Sequence, residues 1–115
     1  MLYHLGYNPV LPQEIEEELA ALFRRAGRME TDAAERAVFV HNEIMRIYPF
    51  KNWNEEIARA ALEYILVYEG RAFCDLAVTE QEYNNAVSGY LHKGDSRTLL
   101  TIVRANLLMA EENNL

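Results

Sequence analysis

The chain has 115 residues, half of them apolar and a quarter charged, with eleven Lys and Arg against eighteen Asp and Glu for a net charge of −7. Length and composition describe one globular domain over residues 1–115 and argue against disorder. The acidic balance speaks against a nucleic-acid groove or an anionic membrane surface, because both are bound through neutralising cations.

In chain order, residues 1–12 hold two of the three prolines, and residues 1–11 predict an irregular arm. Pro12 suits the first turn of a helix, where a missing N–H costs nothing. Ile15, Leu19, Leu22, Phe23 and Ala26 then fall on one helical face, with Glu14, Glu16, Glu17 and Glu18 in the first turns and Gly27 as the expected stop. Asp32 with Glu35 opens a second helix carrying Ala37, His41, Ile44 and Tyr48, which Pro49 ends. Asn52 and Asn54 are expected caps for a third helix, IARAALEYILVY, apolar on most of its circumference and stopped at Gly70. Such a helix is expected to be the central, enclosed one, here over about 54–69. Residues 71–78 predict an extended connector. Thr79-x-x-Glu82 is a capping box before Tyr83, Ala86, Val87, Tyr90 and Leu91. Gly94 and Asp95–Ser96 precede a last helix with Leu99, Leu100, Ile102, Val103, Leu107 and Leu108, and a polar tail at 111–115 is expected to fray. About five helices and no strand pair predict an all-α domain.

The chemistry-bearing stretch is HNEIMRIYPFKNWNEEIAR, residues 41–59. It places a turn between two helices, and the start of the second presents free N–H groups and a positive dipole end, a natural anion site. This stretch resembles the core of the Fic/Doc family, whose signature reads HPFx(D/E)GNGRxxR, with His41–Phe50 matching the family's approach to that motif. LPQEIEEELAALFRRAG resembles the helix before the core pair, and GRAFCDLAVTEQEYNNAVSGYLHKGDSRTLLTIVRANLL resembles the closing segment, so the likeness runs from about residue 8 to 108. The resemblance implies a Fic/Doc-like (Fido-fold) helical bundle.

Members of that family typically transfer AMP from a nucleotide to a protein hydroxyl. Their motif histidine removes the hydroxyl proton, an acidic residue binds Mg²⁺, and the Gly-Asn-Gly turn with an arginine cradles the phosphates. Carried over, the base position is Tyr48, a phenol that holds a proton where an imidazole accepts one. The metal position is Asn52, a neutral amide in place of a carboxylate. The two glycine positions are Trp53 and Glu55, and the first motif arginine is Glu56, a reversal of charge. Pro49, Phe50, Asn54 and Arg59 match the motif. About eleven residues precede the first helix, fewer than the family's β-hairpin flap and the helix before it require, and its inhibitory motif (S/T)xxxE(G/N) has no match.

The expectation is a catalytically degenerate Fic-like protein that binds no metal and no cofactor. It acts through a protein partner, with self-association into a homo-oligomer as one form of that contact. The alternative is a divergent transferase that modifies a protein hydroxyl from a non-standard donor, using Tyr48, Asn54, Arg59 and His41 as helper. His41 is expected to be a packed or capping histidine, Tyr48 a core hydroxyl, and Trp53 a plug in the ancestral nucleotide pocket. His4, His41 and His92 are too scattered to suggest a metal site. Tyr64, Tyr68, Tyr83 and Tyr90 are expected to pack. Cys74 permits no internal disulfide and is expected to be an inert buried thiol. With no basic-then-apolar leader and no apolar run of 18 residues, the expected location is the cytoplasm.

Overall fold

The computed structural model describes residues 6–113, so His4 lies outside the described residues. The described residues form a short 3₁₀ turn, Pro12–Glu14, and five helices: α1 (Ile15–Arg28), α2 (Ala33–Ile47), α3 (Asn54–Tyr68), α4 (Glu80–Lys93) and α5 (Arg97–Asn113). Among them there is no strand, and no helix is long and apolar enough to cross a membrane.

Local chemistry sets most of the boundaries. Asp32 caps α2 by accepting the Glu35 N–H at 2.9 Å. Thr79 and Glu82 exchange the two bonds of a capping box at the start of α4, and Gly94 closes that helix in the left-handed region. Gly27 does not end α1, which runs to Arg28. The cap of α3 also departs from expectation. Its N-cap is Trp53, with no side-chain cap bond, and Asn54 is already inside the helix. Residues 71–78 belong to no helix or strand, with Cys74 buried and its thiol pushed up chiefly by that burial. The tail is more ordered than its polarity suggests. α5 continues to Asn113 because Arg71 reaches across forty residues to hold Glu111 through two bonds at 2.7 and 2.8 Å. Residues 114–115 lie outside the described residues.

The enclosed helix is α2, not α3. Arg46 pairs with Glu18 at one end of α1, and Arg36 reaches the carbonyls of Ala26 and Met29 at the other, so α1 and α2 run antiparallel. Arg36 also pairs with Glu69, which fixes α3 antiparallel to α2 in turn. α4 and α5 cover the remaining sides, so α2 touches all four other helices. Its first half joins Leu62, Leu66, Leu99, Val103 and Leu107 in one buried cluster. Its second half joins Leu22, Ala58, Tyr83 and Val87 in another. Partly buried Ile65 and Leu76 pack against both. α3 buries only one side, through Ala58, Leu62 and Leu66, and exposes Ile57, Tyr64, Val67 and Tyr68. Its all-round greasiness therefore reports an open apolar face and not a central position.

Replacing Thr79 by alanine removes the reciprocal cap of α4 and should destabilise the protein by about 1 kcal/mol in urea unfolding, with the m-value unchanged.

Candidate functional site

α2 ends on Tyr48, a non-glycine residue in the left-handed region at φ 52°, whose N–H closes on the Ile44 carbonyl at 2.8 Å. The turn that follows is held by one side chain. Asn54 is 2% exposed, accepts the Phe50 N–H at 2.9 Å and donates to the Phe50 carbonyl at 2.7 Å. That two-bond clasp pulls the first residue of α3 onto the turn and accounts for a buried amide there. Trp53 occupies a second left-handed position, φ 72°, and its carbonyl accepts the Ile57 N–H to begin α3.

The Trp53 side chain is 67% exposed, so it does not plug a pocket. A left-handed backbone at this position turns the side chain outward while the chain enters α3. Lys51 and Asn52 are exposed beside it, Pro49 and Tyr48 are half-buried, and Phe50 is exposed. Glu55 and Glu56 stand exposed on the first turn of α3. Their carboxylates meet the positive end of the helix dipole, where an external anion would otherwise sit. Arg59 is one turn further on, its guanidinium 4.5 Å from the centroid of the Tyr83 ring, a cation–π contact. Its Nε is buried with no hydrogen-bond partner among the described residues, as is Nδ2 of Asn42.

His41 is placed inside the protein and not on the turn. It is fully buried between Asn42 and Tyr83. Asn42 Oδ1, at 2.9 Å, can only accept, so Nδ1 carries the proton and Nε2 accepts from the Tyr83 hydroxyl at 2.6 Å. Burial, with the Arg59 charge, lowers its pKa to about 4 against the lift of the Asn42 bond. Both ring nitrogens are committed, which makes it a packed histidine. Burial likewise pushes the Tyr83 phenol up.

Sequence reasoning missed a second buried centre beside it. The Glu43 side chain takes two bonds from Arg46, at 2.9 and 3.0 Å, and one from the Tyr90 hydroxyl at 2.5 Å, with Arg25 at 3.7 Å. Burial pushes its carboxyl up, but the bonds from Arg46 and Tyr90 and the two arginine charges outweigh that and hold it below the usual range. The available signal was the seven-residue spacing of Tyr83 and Tyr90, which puts two hydroxyls on one face of α4. His92 is exposed at the far end of that helix, remote in sequence from the turn.

The family model described as Fic/DOC family matches residues 3–66, which takes in α1, α2, the turn and most of α3. No curated protein and no solved structure matches the chain.

Two outcomes follow from this geometry. Asn54→Ala strips the Phe50 amide and carbonyl of their partner and should cost about 1–2 kcal/mol, with faster amide exchange across residues 49–53. The folded-state pKa of His41 lies below its ordinary 6.5, so the unfolded chain binds the extra proton between those values. Stability is therefore full above about pH 6.5 and falls as pH drops toward 4, by on the order of 3 kcal/mol, a slope that His41→Gln should remove from the pH-dependent unfolding curve.

Proposed function

Because the chain belongs to the Fic/DOC family, we propose that it is a Fic-fold protein that does not catalyse the family's AMP transfer and that acts in the cytoplasm through contact with another protein, as a regulator or an assembly subunit. The observation that carries this reading is the pair of exposed carboxylates, Glu55 and Glu56, on the first turn of α3. In the family's motif these positions are a glycine and an arginine that receive phosphate. Here two negative charges occupy the helix start, and a nucleotide's phosphates would meet repulsion where the fold otherwise offers attraction.

The neighbouring positions support the same reading. The residue in the base position, Tyr48, brings a phenol, and the only histidine on the preceding helix has both nitrogens bonded inside the core. The residues do not fit the family's magnesium ion. Its position is Asn52, an exposed neutral amide, and among the described residues no group of three or more His, Cys, Asp or Glu is gathered to hold a metal.

One feature favours a second reading, a transferase with a donor other than a magnesium nucleotide. Arg59 persists from the motif beside the turn, stacked on Tyr83, with its Nε buried and without a hydrogen-bond partner among the described residues. That reading requires an anionic group reaching Arg59 past Glu55 and Glu56.

Titration with ATP and Mg²⁺ separates the two, because Trp53 is exposed on the turn and its fluorescence reports occupancy directly. The expected outcome is no saturable change and no rise in melting temperature; saturable binding in the micromolar range would overturn the proposal. The combined variant Trp53→Gly, Glu55→Gly, Glu56→Arg should gain measurable phosphate affinity while remaining folded.

A further inference from the structure

We draw no further inference here: the strongest candidate, the open apolar groove between α1 and α3 walled by Phe23, Ile57, Tyr64 and Tyr68, carries nothing because nothing in the structure shows what covers it.

Discussion

Three consecutive polar residues, His41, Asn42 and Glu43, are buried in the middle of α2. Successive helical residues point about 100° apart, so a buried run of three can exist only where a helix is enclosed on nearly every side. Buried polar groups must also be bonded, and α2 supplies only part of what these need. The remainder comes from α4, where Tyr83 meets His41 and Tyr90 meets Glu43. Those tyrosines are two helical turns apart, and Val87 packs into the core between them. Two hydroxyls thereby fix how far α4 is slid along α2, a register that apolar contact alone specifies loosely. The arginines complete the arrangement. Arg46 bonds both Glu43 and Glu18, so the same buried carboxylate that orients α4 is linked through one guanidinium to α1.

The turn between α2 and α3 depends on this framework at its two ends and on Asn54 in between. Its exposed positions, Lys51, Asn52 and Trp53, make none of the bonds that set its shape. Shape and chemistry are thus separable here. The asparagine that closes the turn stays buried and bonded, whereas the residues that face solvent are free to carry a tryptophan and two glutamates. A Fic/DOC chain can in this way keep the outline of its motif while changing what the motif presents.

Much of the fold was legible in the sequence because it rests on local signals. Asp32 and Thr79 announced two helix starts through side chains three residues from their partners. What was not legible depended on distant partners or on a mistaken equation of polarity with exposure. The unbroken apolar run of α3 made that helix look enclosed. The enclosed helix is α2 instead, and the partners on α4 that complete the bonding of its buried His41 and Glu43 are two tyrosines more than forty positions away. The order of the tail was hidden for the same reason, since Glu111 is held by Arg71. In the candidate site, the exposure of Trp53 goes with a left-handed backbone angle that no residue pattern records.

That angle has an energetic consequence for the turn. A left-handed conformation suits glycine and strains any residue with a Cβ, at a cost on the order of 1 kcal/mol. Trp53 adopts it at φ 72° in a position where the family motif has glycine. The backbone holds a shape that its side chain does not favour. Tyr48, at φ 52°, carries the same kind of strain at the other end of the turn. Both strained residues flank the turn that the buried Asn54 clasp holds closed, so the bonds of one asparagine carry the cost of two unfavourable backbone angles.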